Sequence, residues 1–295
     1  MDYKLLNKFG LGSAQFGLKY GINKQKIPRA DIKKILKSFN TIHGKIIDTS
    51  PLYGFSEKIL GELSPKNNKF QYVTKIPKIN SKVILEGQIN NSKKIFYKSL
   101  KNLKKKSVYG LLIHSINDIF KPGGDKLLNL LISLKKKRMT KKIGVSVYSK
   151  KEIDGLLKKF TPDIIQLPIN LLDQRLIKNN YLSKLKKKKI EIHARSIFLQ
   201  GILISKRNFF PFKNKSAKEK IKEIKKNIIK QNISLVQASV YFVLQQKEID
   251  SLIIGFSSYK DFYEIKKCFN CSFKKFKWNK KMEIKNEKIL NPSNW

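Results

Sequence analysis

A chain of 295 residues has room for two ordinary domains or one large α/β barrel, and a hydrophobic share of 41% marks it as globular. The formal charge of +43 raises nucleic acid as a partner, but only five of the 64 basic residues (Arg29, Arg138, Arg175, Arg195 and Arg207) are arginine, the better reader of phosphate and guanine. The lysines run along the whole chain, and the abundance of lysine, isoleucine, asparagine and phenylalanine, all served by A/T-rich codons, accounts for them without a specific nucleic-acid partner; salt-sensitive adhesion to polyanions is then a side effect.

The segment from Met1 to Lys8 has no apolar core of a secretory leader, and no later apolar run approaches the roughly 18 residues of a membrane span. Cys268 and Cys271 are the only cysteines, too few for a disulfide framework, so the expected setting is the reducing cytoplasm.

Strand-like runs alternate with helix-like ones, which predicts an α/β fold with a parallel sheet. Strands are expected near Phe9 to Gly12, Lys45 to Asp48, Gln71 to Thr74, Tyr109 to His114, Ile143 to Ser146, Ile164 to Leu167, Glu191 to Ala194 and Leu252 to Ile254. Amphipathic helices are expected over Asp31 to Phe39, Ile89 to Lys104, Lys126 to Lys137, Lys151 to Phe160 and Asp261 to Phe269, with two more, Lys218 to Asn232 and Leu235 to Leu244, in the longest gap. Ser56, Ser149 and Ser258 stand where N-caps are wanted, and Glu152, three residues after Ser149, completes a capping-box pattern. Eight strands so separated predict a single (β/α)8 TIM barrel over residues 1–271, followed by a basic tail, 272–295, folded back with Trp278 and Trp295 as pins.

Four ionisable side chains fall at or just beyond strand ends: Asp48 and Tyr53 after the second, Lys75 after the third and His114 after the fourth. In a parallel barrel these ends converge on one mouth. An ammonium beside a phenol favours phenolate and lowers its pKa, a carboxylate fixes the ammonium, and an imidazole orients a carbonyl by a hydrogen bond. The set suits protonation of a ketone or aldehyde oxygen as hydride reaches the carbon.

Six blocks in this order resemble the aldo-keto reductase family over nearly the whole chain: Gly10 to Gly17, Asp48-Thr49-Ser50-Pro51-Leu52-Tyr53-Gly54, Val73-Thr74-Lys75, Leu112-Ile113-His114, Ile143-Gly144-Val145-Ser146 and Ile254-Gly255-Phe256-Ser257-Ser258. The resemblance implies NADPH, with NADH as the other candidate, bound without a Rossmann domain. It casts Tyr53 as general acid, Lys75 as its activator, Asp48 as the partner of Lys75 and His114 as the carbonyl orienter. Ser146, Gln166 and Asn170 resemble the contacts to the nicotinamide amide, with Val147 where an asparagine is common. Arg195-Ser196 lies where many members stack a tyrosine on nicotinamide, and Gly255, Ser257 and Ser258 resemble the phosphate loop. NADPH-selective members carry lysine and arginine in that loop; here Gly255 and Asp261 stand there, with Lys260 nearby. Residues 191–201 resemble a bacterial branch that often acts on sugars or surface-polysaccharide precursors. The other reading is a nucleotide-binding regulatory or scaffold barrel with little turnover.

Other motifs give way to plainer readings. Gly10, Gly12 and Gly17 are spaced G-x-G-x-x-x-x-G, not as a dinucleotide fingerprint. Cys268 and Cys271 lack the further ligands of a zinc site, so no metal is expected. His193 is expected as a satisfied core histidine.

Overall fold

The computed structural model describes residues 3–22, 24–207, 209–269 and 276–295. Eight parallel strands close into a barrel in chain order. They are β1 (Phe9–Gly12), β2 (Ile46–Asp48), β3 (Gln71–Ile76), β4 (Val108–Ile113), β5 (Thr140–Ser146), β6 (Ile164–Pro168), β7 (Glu191–Arg195) and β8 (Ser251–Ile254). Outside lie α1 (Arg29–Thr41), α2 (Ser56–Leu63), α3 (Glu86–Leu103), α4 (Gly124–Lys136), α5 (Lys150–Lys159), α6 (Tyr181–Lys187), α7 (Lys215–Ile229), α8 (Leu235–Leu244) and α9 (Tyr259–Cys268).

The strands are apolar on both faces because both are buried. Ile46, Val73, Leu112, Ile164 and Ile253 form a separate small cluster that fills the barrel, while their neighbours Ile47, Leu111, Ile113, Ile165, Leu252 and Ile254 belong to the large cluster beneath the helices. Strand residues alternate between faces with period two, so one sequence register supplies both cores.

All eight expected strands form, and their ends differ from the reading by three residues at most; β3 runs on through Lys75 to Ile76, and β7 takes in Arg195. Of these nine helices, α6 had no counterpart in the sequence reading and α2 only its expected cap at Ser56; they are the shortest, seven and eight residues long. The cap at Ser149 forms as expected, its hydroxyl accepting from the Glu152 N–H at 3.2 Å while the Glu152 carboxylate accepts from the Ser149 N–H at 3.0 Å. Ser56 is not a cap: it is the first residue of α2, and its hydroxyl donates to the Ser13 carbonyl at 2.9 Å. Phe276, Met282, Ile284, Ile289 and Leu290 of the chain end join the main core, and the Ile284 N–H donates to the Leu172 carbonyl at 2.9 Å. Trp278 meets Phe242 edge-on at 4.8 Å between ring centroids, and the Trp295 indole donates to the Ile289 carbonyl at 3.1 Å. Among the described residues no helix is long and apolar enough to cross a membrane. Cys268 is buried, and Cys271 lies outside the described residues.

Candidate active site

The alternation that fills the barrel also builds its mouth. Asp48 follows Ile46 by two positions, Lys75 follows Val73, His114 follows Leu112 and Gln166 follows Ile164, so each continues an inward-facing row past the apolar layer. Register aligns them: Asp48 is opposite Val73 on β3, Lys75 opposite Leu112 on β4, and Ser146 opposite Gln166 on β6.

Asp48 is the junction. Its Oδ1 accepts from the Lys75 ammonium at 2.6 Å and from the Gln166 amide at 2.7 Å, and Lys75 also donates to the Thr49 carbonyl at 2.9 Å. Lys75 is 1% exposed and Asp48 4%, so neither charge has bulk water to fall back on. Burial pulls the Lys75 ammonium below its ordinary value, and the Asp48 carboxylate opposes that pull.

Tyr53 reaches the same place from the turn after β2. The ammonium of Lys75 lies 5.2 Å from the centre of its ring, and the His114 ring meets it nearly at right angles at 6.4 Å. The turn is held from below: the Ser13 hydroxyl donates to the Asp48 carbonyl at 2.9 Å, and the Ser56 hydroxyl lies 2.8 Å from Ser13 Oγ and 3.3 Å from Thr49 Oγ1. Gly17 is required there, because a Cβ on it would lie 1.9 Å from the Tyr53 carbonyl; Gly54 takes φ +57°, where an L side chain is strained.

The phenol's pKa is pushed up, the reverse of the direction read from sequence. Burial is the largest cause and the Asp48 charge the next, and together they outweigh the guanidinium of Arg195. Tyr53 is therefore held as a neutral phenol carrying its proton. Burial and the charge of Lys75 depress His114 to about 4, leaving a neutral imidazole near pH 7 with its Nδ1 buried and unpartnered. A neutral phenol, a neutral imidazole and a fixed ammonium side by side at the ends of neighbouring strands can hydrogen-bond a carbonyl oxygen and give it a proton.

Further round the barrel, Arg195 ends β7 with its guanidinium 4.1 Å over the Tyr148 ring, donating to the Val147 carbonyl at 3.1 Å and to Ser196 Oγ at 3.2 Å. Asn170 is fully buried and largely committed: its Oδ1 accepts from the Leu172 and Asp173 N–H groups, each at 3.0 Å, and its amide donates to the Ser196 carbonyl at 3.0 Å. After β8, Ser258 caps α9 by accepting from the Asp261 N–H at 3.1 Å, and the Asp261 carboxylate accepts from the Ser257 N–H at 3.0 Å.

The profile of the Aldo/keto reductase family matches residues 8–286. The chain belongs to that family. It is accordingly an NAD(P)H-dependent oxidoreductase acting on carbonyl compounds. Its fold is shared with solved structures of low sequence identity. The holo form of aldo-keto reductase AKR11C1 from Bacillus halodurans superposes with a TM-score of 0.71 at 16% identity, covering 90% of this chain and 87% of that one. A candidate aldo-keto reductase from Pseudomonas aeruginosa superposes with a TM-score of 0.65 at 18% identity, covering 89% of each chain. No curated protein matches the sequence.

The mouth of this reductase fits a nicotinamide dinucleotide. Gly255 passes so close to Gln15 that a Cβ would stand 2.4 Å from its Oε1, so the loop after β8 leaves backbone rather than side chain facing that end of the mouth. Ser257 and Ser258 precede α9, and a helix N-terminus favours anions. Two carboxylates already sit at that end, however: besides Asp261, Asp31 accepts from the Tyr259 N–H at 3.1 Å.

Sequence reasoning missed Tyr148, Tyr20 and Glu57. Tyr148 follows Ser146 by two positions, the same inward row, and that spacing was the available signal. Tyr20 sits on the loop after β1, 40% exposed, near enough to Arg195 for the guanidinium charge to bear on its phenol. Glu57 is buried on α2 behind the barrel wall, accepting from the Thr74 hydroxyl at 2.6 Å, and burial raises its pKa.

Proposed function

We propose that this enzyme reduces an aldehyde or ketone with Tyr53 as the general acid. The observation that carries the reading is the Asp48–Lys75 pair with the Tyr53 ring 5.2 Å from the ammonium. The nicotinamide, when bound, supplies the hydride that reduces the carbonyl carbon. Tyr53 Oη gives its proton to the carbonyl oxygen, the fixed ammonium of Lys75 stabilises the phenolate left behind, and His114 orients the carbonyl. Asp48 keeps Lys75 in place and charged. In the opposite direction the same groups accept a proton from an alcohol.

Ser146, Gln166, Asn170, Arg195 and Ser196 would hold the nicotinamide, and Gly255, Ser257 and Ser258 the phosphates. Gln166, with one amide N–H committed to Asp48, would meet the group with its carbonyl oxygen or its second N–H, and Asn170 would act chiefly by holding the Ser196 backbone. NADPH and NADH are both accepted. The Asp31 and Asp261 carboxylates at the N-terminus of α9 oppose a 2'-phosphate, and Lys260 is its cationic partner there. The substrate is a small carbonyl compound, with sugars and polysaccharide precursors the class suggested by residues 191–201. A reducing, cytoplasmic setting suits a chain with only two cysteines.

The test is cofactor oxidation by the purified protein against a broad panel of aldehydes and ketones, with NADPH and with NADH. Turnover of at least one carbonyl is expected. Tight cofactor binding with no turnover across the panel would instead favour a regulatory barrel.

A further inference from the structure

The basic side chains of the mouth differ in how their charges are met. Lys75 is neutralised by Asp48 at 2.6 Å. Two other arginines of the molecule likewise meet carboxylates: Arg175 is held by Asp173 and Glu287, each at 2.8 Å, and Arg29 by Glu62 at 2.8 Å. Arg195 differs. Among the described residues its side-chain partners are all neutral: the Val147 carbonyl, Ser196 Oγ and the face of Tyr148. A guanidinium carries five N–H donors, and two are used in these bonds; Nε, buried, has none.

This uncompensated cation stands at the end of β7, beside the reacting groups. It is near enough to Tyr53, Lys75, His114 and Tyr20 for its charge to bear on the protonation of each. An unpartnered buried N–H and an unpaired charge are both costly, and one ligand relieves both. A carboxylate or phosphate oxygen accepts from the Nε edge and supplies the missing negative charge, and arginine's planar fork suits either group.

Building on the reductase reading above, we propose that the substrate is a carbonyl compound that carries an anionic group, carboxylate or phosphate, and that Arg195 binds that group. Hydride adds to the carbonyl carbon, the Tyr53 proton adds to its oxygen, and the anionic group leaves unchanged on the hydroxy product. Tyr148 is a positioning residue: its ring holds the guanidinium plane from one side.

Two matched pairs of aldehydes test this: succinic semialdehyde against butanal, and glyceraldehyde 3-phosphate against glyceraldehyde, with 4-nitrobenzaldehyde as a neutral reference. In the wild type, the anionic member of at least one pair is expected to have a kcat/KM higher by a factor of about 10–100, the scale of a charge-assisted hydrogen bond. The pair showing the larger factor distinguishes carboxylate from phosphate. Arg195→Met should collapse that factor through the KM of the anionic substrate, and Arg195→Lys should keep part of it. Because each comparison is a ratio within one protein, any common loss from weaker cofactor binding cancels. Calorimetry with 4-hydroxybutyrate and with butan-1-ol gives a readout apart from turnover, and for a carboxylate subsite only the first should weaken in Arg195→Met. A factor near one in both pairs, or one unchanged by Arg195→Met while the affinity for NADH falls, would overturn the proposal and give Arg195 to the cofactor. Failure to reduce any of the five aldehydes would instead bring down the reductase reading itself.

Discussion

Asp48→Ala is the sharpest perturbation of the mouth. The substitution removes the acceptor of both the Lys75 ammonium and the Gln166 amide, bonds of 2.6 and 2.7 Å, and leaves the ammonium with the Thr49 carbonyl at 2.9 Å and the face of Tyr53. With Lys75 only 1% exposed, water cannot replace the lost carboxylate. Removing one partner of a buried pair costs about 3–5 kcal/mol, and in a chain of this size each kcal/mol lowers the melting temperature by roughly 2–4 °C. Thermal unfolding followed by circular dichroism at neutral pH should therefore show a fall of roughly 6–20 °C. The double variant Asp48→Ala with Lys75→Met removes both charges, so it should be more stable than the sum of the two single losses by about 2 kcal/mol or more. A single variant within about 1 kcal/mol of wild type, or strict additivity in the double variant, would refute the claim that the pair is buried and mutually dependent.

Three further outcomes follow from the geometry. His114 is depressed from 6.5 to about 4, so between those values the unfolded chain binds more protons and stability falls as pH drops through that window. That loss is up to about 3 kcal/mol, and His114→Gln should flatten the pH dependence of the urea midpoint between pH 7 and about 4.5; parallel curves would contradict the burial of the imidazole. Asp261→Asn should strengthen NADPH relative to NADH about threefold to tenfold in a fluorescence titration, by lifting repulsion at the N-terminus of α9; an unchanged ratio would place the 2'-phosphate elsewhere. Ser258→Ala should cost about 1 kcal/mol of stability by removing the cap of α9, read in the same melting assay.

Much of this molecule was legible because a parallel barrel writes its plan into the chain at period two. Ile46 and Asp48, Val73 and Lys75, Leu112 and His114 are the same inward row, first apolar and then polar, so strand positions alone brought the reactive groups together. Other features depend on three-dimensional neighbours that spacing does not reveal. The Tyr53 phenol was expected to be acidified by Lys75, yet burial and the Asp48 charge prevail and hold it in the protonated form. Ser56 looked like a cap, but its hydroxyl turns inward to Ser13, a contact across 43 residues of sequence. Nor does spacing show that Asn170, read as a cofactor contact, also uses its Oδ1 to accept from two backbone N–H groups of its own turn. Glu57 was invisible because one carboxylate on a short helix carries no sign that it faces the Thr74 hydroxyl.

The most direct test of the central claim is Tyr53→Phe. The substitution deletes only the phenolic oxygen and keeps the ring that packs against Lys75 and His114. Cofactor oxidation with a carbonyl substrate of the wild type, measured beside a fluorescence titration with NADPH and NADH, should show kcat falling by a factor of about 10²–10⁴ while both dissociation constants stay the same. Full turnover by the phenylalanine variant would contradict the assignment of Tyr53 as the proton donor.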